Sequence, residues 1–245
     1  MVDWEIIDSG RQSAEENMRF DTDLLEKAES FSCPILHFYE WTGDSATYGY
    51  FTDPSKFLNL DQAQKFSLQL ARRPTGGGIV FHCWDMAFSI LVPAKCREFS
   101  LNTLENYAFV NNAVLASVKE FLENQPLLSL TPNDLASWDS NCLHFCMAKP
   151  TKYDVMWEGK KIAGAAQRKT RHGFLHQGTL ALLSPNIEYL GQVLLPGTKV
   201  CEAMLAHTCP LLEKSAQEFE IDRAKQRLRT LLATQLRRCS LELTG

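Results

Sequence analysis

No run of apolar residues in this chain approaches the length needed to span a bilayer, and residues 1–8 contain neither a basic leader nor an apolar segment. A soluble, cytoplasmic protein without a membrane partner is therefore expected. A basic excess is also missing: the net charge is -4, which argues against a general nucleic-acid binder. The eight cysteines follow no framework spacing, as expected of reduced thiols that mostly pack as small hydrophobes. Internal repeats and low-complexity segments are absent, as are the Gly-Lys-Ser/Thr ending of a P-loop and the spacing of a dinucleotide fingerprint. Neither common nucleotide fold is supported.

What is present is a chain of 245 residues with 45% hydrophobic content, enough for one large domain. A single domain over residues 1–245 is expected, with 200–245 as C-terminal helices packed on it. Residues 4–8 read as a strand. Ser13 with Glu16 forms a capping box for a helix to about residue 29. Strands follow at 34–41 and 46–51, then a helix over 60–70. The strands 69–73 and 79–93 enclose a glycine-rich loop as a hairpin-like unit. Asn102 with Glu105 opens a helix whose Leu104, Tyr107, Ala108, Leu115, Val118 and Leu122 share one apolar face until Pro126 stops it. Residues 125–139 read as a loop, 142–148, 153–158, 161–168 and 175–183 as strands, and 200–205 and 213–238 as helices. Helices separated by neighbouring strands, without regular alternation, predict an α+β fold with a mixed, largely antiparallel sheet flanked by helices.

The stretch 72–82, Arg-Arg-Pro-Thr-Gly-Gly-Gly-Ile-Val-Phe-His, has the chemistry of a polyanion cradle. Glycines let successive N–H groups converge on one oxygen, and the guanidinium forks of Arg72 and Arg73 match phosphate or carboxylate. The alternative is a tight turn with solvated arginines. A second basic segment exists: residues 149–171 hold seven Lys and Arg against two acidic residues, which points to a small anionic ligand. Within it, Lys161 precedes Ile162, Ala163 and Gly164 in an apolar strand. Directed inward, its ammonium is a fixed charge able to stabilise a developing oxyanion; otherwise Lys160 and Lys161 form a solvated hairpin tip. Cys142, His144 and Cys146 alternate and on a strand would share a face, but no fourth ligand stands at a telling spacing and no metal site is expected.

Together, Arg-Arg-x-x-Gly-Gly-Gly-x-Val-x-His and the later Gly-x-Lys-x-x-Gly-x-Ala-Gln-Arg and His-x-Gly-Thr-Leu resemble the lipoate-protein ligase and octanoyltransferase family, which shares its fold with biotin-protein ligases. The resemblance runs from Trp4 to about Leu183 and includes Phe38-Tyr39-x-Trp41 and Gly49-Tyr50-Phe51. It implies a biotin/lipoate-protein-ligase-like catalytic domain. By this resemblance Arg72, Arg73, Thr75, Gly76, Gly77, Gly78, Val80 and His82 would line the acyl and adenylate pocket. Lys161 would contact the phosphate and carbonyl oxygen of an acyl-adenylate, and Gly164, Ala165, His176, Gln177, Gly178 and Thr179 would shape the wall. In ligase chemistry lipoate attacks the α-phosphate of Mg-ATP, so ATP, Mg2+ and lipoate are the implied cofactors and substrate. A lysine on a lipoyl domain then attacks the mixed anhydride. The implied partners are lipoyl domains of 2-oxoacid dehydrogenase complexes and the glycine cleavage H protein.

The expected activity is an ATP-dependent lipoate-protein ligase of compact form, since only about sixty residues follow Leu183. The alternative within the family is an octanoyltransferase, which takes octanoate from acyl carrier protein through a cysteine thioester without ATP. Cys146-x-x-x-Pro150-Thr151-x-Tyr153-Asp154 looks like its nucleophile motif, with Lys149, Lys152 and Lys161 available to favour the thiolate. Gln167 leans the same way, whereas the unbroken glycine triplet and Gly178-Thr179-Leu180 look more like ligases. The usual His-Asp pair is His82-Cys83 here, so Asp85 would have to stand in for the missing carboxylate. That departure motivates a third reading, a non-catalytic module that binds acyl groups and lipoyl domains.

Overall fold

The structure is a computed structural model that describes residues 4–123 and 127–243. In chain order it contains β1 (Glu5–Gln12), α1 (Ala14–Glu26), β2 (Ile35–Trp41), β3 (Ser45–Tyr48), α2 (Leu60–Lys65), β4 (Gln69–Arg72), β5 (Ile79–Phe81) and β6 (Asp85–Pro93). These are followed by α3 (Thr103–Phe121), β7 (Leu128–Leu130), β8 (Val155–Trp157), β9 (Lys160–Lys169), β10 (Gly173–Ala181), α4 (Ile187–Val193), α5 (Val200–His207) and α6 (Glu218–Glu242). Among the described residues the strands form a seven-stranded sheet, ordered β1-β2-β6-β10-β9-β8-β7, and a three-stranded sheet, ordered β4-β3-β5. Within the large sheet only β1 and β2 pair in parallel. This is the mixed, largely antiparallel α+β fold expected from the sequence.

Local chemistry sets several boundaries. Ser13 accepts from the Glu16 N–H while the Glu16 carboxylate accepts from the Ser13 N–H, so both ends of a capping box close on α1. The central strands β6 and β10 are buried almost throughout because helices cover both faces of the sheet. On one face α3 and α6 pack Val110, Val114, Val118, Leu228, Leu232 and Leu236 against Phe88, Ile90 and Phe174. On the other, Leu24 and Leu25 of α1 meet Ile35, Leu91 and Leu175. The small sheet has its own apolar cluster with α2, α4 and α5, built on Ala46, Ile79, Phe81, Phe145, Leu190 and Met204.

Four sequence expectations change. The helix over 60–70 ends at Lys65, because Ser67 takes a φ of 54° and the chain turns into β4. The strands around the glycine loop are not a hairpin: β3 inserts between β4 and β5 and pairs with both, and 79–93 divides into β5 and β6 in different sheets. Residues 142–148 form no strand. A short 3-10 turn at Cys142–His144 is held by Asp139, whose carboxylate accepts from the Cys142 N–H, so the alternation of Cys142, His144 and Cys146 on one face does not arise. In α3, Leu104 is exposed and Asn106 is buried, because Asn106 exchanges hydrogen bonds with the Ser100 backbone and turns the helix by its first turn. The expected stop at Pro126 lies outside the described residues, as do residues 125 and 126 of the expected loop, which also contains β7. An unexpected helix, α4, starts where the Asn186 side chain accepts from the Tyr189 N–H.

Candidate active site

A cleft opens between the small sheet and the large one, and strand register builds its floor. Gly164 of β9 lies opposite Thr179 of β10, and Ala166 lies opposite Gln177, so these four positions share one sheet face. Ala165, Gly178, Met18, Tyr39, Thr47, Arg73, Val80, His82 and Cys146 complete the lining of about 370 Å³ of unfilled space, mouth included. The glycine loop forms the roof. Gly77 has a φ of +84°, and a Cβ placed on it would lie 3.4 Å from Arg73 Nη2, 3.6 Å from Ala166 and 3.7 Å from Cys146 Sγ. Loop, guanidinium, thiol and strand therefore converge. Gly78 is needed for another reason: a Cβ there would sit 2.2 Å from the His144 carbonyl oxygen, so loop backbone rests directly on the segment that delivers Cys146.

Arg73 is buried and serves the loop itself. Its Nη1 donates to the carbonyl and hydroxyl of Thr47 at 2.9 and 2.8 Å, and its Nη2 donates to the carbonyls of Gly76 and Gly78 at 3.0 and 2.8 Å. Burial pushes its pKa down, and the neighbouring Cys146, a potential anion, pulls it back. Arg73 lines the cleft with its guanidinium occupied by four bonds to protein acceptors, so it acts as a clamp that also presents positive charge to Cys146.

Lys161 points inward, 2% exposed, which resolves the sequence alternatives in favour of the buried charge. Its Nζ donates to the main-chain carbonyl of Cys146 at 2.7 Å and pairs with Asp154 Oδ2 at 2.7 Å. Burial pushes the Asp154 carboxyl above its usual range, while Lys161 and the N–H and hydroxyl of Thr151 pull it back. Gly164 makes room for this arrangement, since a Cβ there would lie 2.2 Å from Lys161 Cε and 2.4 Å from Nζ. Lys161 thus sits beside the cleft, bonded to the backbone of Cys146, and its ammonium is already engaged. With Arg73 and Lys161 both held by protein acceptors, the cleft offers a nucleotide phosphate no free cation from this pair. Among the described residues no group of three His, Cys, Asp or Glu side chains is placed to hold a metal ion.

His82 lines the cleft through a fixed network. Its Nε2 meets the Thr47 hydroxyl at 2.8 Å, its Nδ1 meets Asp85 Oδ2 at 2.7 Å, and Trp41 stacks on its ring at a 4.3 Å centroid distance. Thr179 donates to the same Asp85 oxygen. Asp85 therefore supplies the carboxylate beside His82, and Cys83, partly buried next to Asp44 and Asp85, has its thiol pushed strongly up. Thr75 lies under the loop, where its hydroxyl donates to Gln177 Oε1 at 2.6 Å, and Gln177 Nε2 donates in turn to Asp21 at 2.6 Å.

Three candidates fall elsewhere. His176 is fully buried with neither ring nitrogen partnered, packed between Phe88 and Tyr107, and burial lowers its pKa to about 3. It faces α3 because it is one residue out of phase with Gln177 on β10. Arg72 is exposed on the outer side of the loop, over Tyr50, and Gly76 lines a separate outer recess. Sequence reasoning gave no role to Thr47, Asp21 or Met18, and named Asp154 only as the end of the cysteine motif. Only Asp154 carried a local signal, the Thr151-x-x-Asp154 spacing of a side chain that turns back on its own backbone; the others act through partners distant in the chain.

Residues 13–233 match the family model of the lipoyl protein ligase A/B catalytic domain. The octanoyltransferase LipM of Bacillus subtilis (strain 168) is 29% identical over 203 residues, covering 82% of this chain and 73% of that protein. LipM of Bacillus cereus (strain ATCC 14579) is 30% identical over 203 residues with the same coverage, 82% and 73%. Among solved structures, a bi-partite lipoate protein ligase from Thermoplasma acidophilum superposes with a TM-score of 0.67 at 20% identity, covering 99% of this chain and 92% of that one. Lipoate-protein ligase A bound with ATP superposes with a TM-score of 0.65 at 21% identity, covering 98% and 92%. At these identities the two structures speak for the fold. With nine-tenths of its length inside the family model, this chain belongs to the lipoyl protein ligase A/B catalytic domain family.

Proposed function

We propose that this protein is an octanoyltransferase that moves an octanoyl group from acyl carrier protein to a lysine of lipoyl-domain proteins through a thioester on Cys146. The observation that carries this reading is the placement of the Cys146 thiol in the cleft wall, against Gly77 and beside the Arg73 guanidinium, with its own carbonyl fixed by Lys161. The similarity to LipM octanoyltransferases supports it. The ligase reading of the sequence gives way, because Arg73 and Lys161, the cations it would use on an adenylate, are held by protein acceptors.

In the first step the Cys146 thiolate attacks the thioester carbonyl of the donor, and the carrier thiolate leaves and takes up a proton. In the second, the neutral amine of the acceptor lysine attacks the Cys146 thioester, forms the amide and expels the Cys146 thiolate as the amine loses a proton to solvent. Arg73 stabilises the thiolate at both ends of the cycle. Lys161 holds the Cys146 backbone and contributes positive potential where each tetrahedral oxyanion develops. Met18, Tyr39 and Val80 supply apolar wall for the acyl chain.

Intact-mass measurement tests the reading. Octanoyl acyl carrier protein should leave an octanoyl adduct on Cys146 without ATP, and an apo lipoyl domain should then remove it and gain the same mass. Lipoylation of that domain only with lipoate and Mg-ATP, with no adduct on Cys146, would overturn it in favour of a ligase.

A further inference from the structure

The outer side of the glycine loop carries a cluster that the reaction at Cys146 does not use. The guanidinium groups of Arg72 and Arg168 each lie 5.1 Å from the centroid of the Tyr50 ring, so one aromatic ring gathers two cations. Lys169 follows Arg168 on the same strand and is anchored by the Leu101 carbonyl. Arg72, Arg168 and Lys169 are all exposed, and among the described residues none of them pairs with a carboxylate. Beside them is a recess with about 610 Å³ of unfilled space, lined by Tyr50, Phe51, Pro74, Gly76, Gln167, Arg168 and Lys169. Phe51 is 92% exposed at its lip.

The cluster is built rather than incidental. Arg168 Nη1 donates to the Pro74 carbonyl at 3.2 Å, the Tyr50 N–H donates to the Thr75 carbonyl at 2.9 Å, and the Thr52 hydroxyl donates to the Gly77 carbonyl at 3.0 Å. A Cβ on Gly49 would lie 1.9 Å from the Gly77 carbonyl oxygen, so the turn bearing Tyr50 and Phe51 lies directly on the loop. The inner side of that loop is the side that meets Cys146. Arg168 stands two residues beyond the cleft residue Ala166 on β9, about 7 Å along the strand.

We infer that the Arg72, Tyr50 and Arg168 cluster, with Lys169, binds the phosphodiester of a phosphopantetheine-type carrier arm whose thioester end reaches Cys146. The inference rests on the transferase reading and adds the recognition of its donor. Position separates this ligand from an acyl-adenylate. An adenylate phosphate is bonded directly to the acyl carbonyl and must lie inside the cleft, whereas a pantetheine arm places its phosphate several bonds away, outside the mouth. The exposed cations without a carboxylate partner lie outside. The apolar Phe51 and Pro74 suit the methylated part of the arm next to that phosphate, and the unpaired positive charge complements a phosphodiester.

The test compares octanoyl-4′-phosphopantetheine with octanoyl-pantetheine, which lacks the phosphate, as donors for Cys146 acylation followed by intact mass. The wild-type protein should half-saturate with the phosphate-bearing donor at about tenfold lower concentration, and the advantage should shrink as salt is raised. In Arg72→Gln/Arg168→Gln the ratio between the two donors should collapse toward one, while Arg168→Lys should keep part of it. Using a ratio cancels any general loss of activity. Equal half-saturation in the wild type, or an unchanged ratio in the double variant, would overturn the inference. Calorimetric titration with unacylated 4′-phosphopantetheine and with pantetheine reads the same site without chemistry. Phosphate-dependent binding lost in the double variant supports the cluster even if Cys146 is never acylated, a result that would sink only the transferase reading. Binding of AMP at this cluster in preference to phosphopantetheine would overturn the inference and assign the site to a nucleotide.

Discussion

The ammonium of Lys161 donates to the main-chain carbonyl of Cys146 at 2.7 Å while pairing with Asp154 at 2.7 Å, so one buried cation ties the segment carrying the thiol to the strand beside it. The bond fixes Cys146 from its backbone and leaves the thiol facing the cleft. Replacing Lys161 by Met removes the positive potential near the reacting carbonyl, and transfer should fall on the order of 10²-fold. Stability should also fall, by about 3 kcal/mol, because Asp154 is left buried without its partner. Adding Asp154→Asn should recover part of that stability and none of the rate. Urea denaturation of the four proteins of the cycle measures the coupling, and strictly additive losses would refute the pairing.

Gly164 offers an independent route to the same cation. Alanine is the better strand residue, yet its Cβ would occupy the space of Lys161 Cε and Nζ. Gly164→Ala should therefore lower single-turnover transfer nearly as far as Lys161→Met does. A variant with wild-type rates would show that Lys161 can act from another position.

Cys146→Ala should abolish both the octanoyl adduct and its transfer, with a thermal midpoint close to that of the wild type, since the side chain is only partly buried. Lipoylation by this variant with lipoate and Mg-ATP would return the protein to the ligase reading.

Arg73→Gln should destabilise the protein by about 3 kcal/mol, because the carbonyls of Thr47, Gly76 and Gly78 lose a charged donor inside the fold. The urea midpoint measures this, and limited proteolysis should show cleavage moving to residues 74–78. A change under 1 kcal/mol would mean the loop holds its shape without the clamp.

His176 predicts an acid-dependent loss of stability. Its pKa is about 3 in the folded protein against 6.5 for the free group, so between those values the unfolded chain binds a proton that the folded chain does not. The stability tied to neutral His176 is complete above about pH 6.5 and declines as pH falls toward 3, with a slope of up to about 1.4 kcal/mol per pH unit. His176→Phe should flatten this part of the profile. At neutral pH it should be at least as stable as the wild type, since two unpartnered ring nitrogens leave the core. Urea midpoints between pH 4 and 7 would decide it; parallel profiles would sink the assignment.

Locally encoded features were legible in the sequence. The capping box at Ser13 and Glu16 placed α1, and β-branched and aromatic runs placed β2 and β6, because each signal lies within a few residues of its effect. The glycine triplet and the Lys161 strand marked the region of the site for the same reason. A helix expected over 213–238 was found as Glu218–Glu242, starting at a Gln217 and Glu220 capping box that hydrophobic periodicity does not register.

Which side chains act, and on what, required the tertiary structure. Arg72 and Arg73 are adjacent in sequence and looked equivalent, but strand β4 sends one outward to Tyr50 and the other inward to the loop carbonyls. His176 and Gln177 likewise part to opposite faces of β10, one into the core and one into the cleft. The period of a strand predicts that neighbours diverge, but only the packing of α3 on one face and of the glycine loop on the other decides which of them meets the ligand. By itself the sequence determined the family, the α+β architecture and the short list of cradle residues. The burial of Lys161 against Asp154, the use of Arg73 as a clamp and the unpaired charge at Arg72 and Arg168 were decided by contacts between distant segments, because solvation and charge pairing depend on what the fold brings alongside each group.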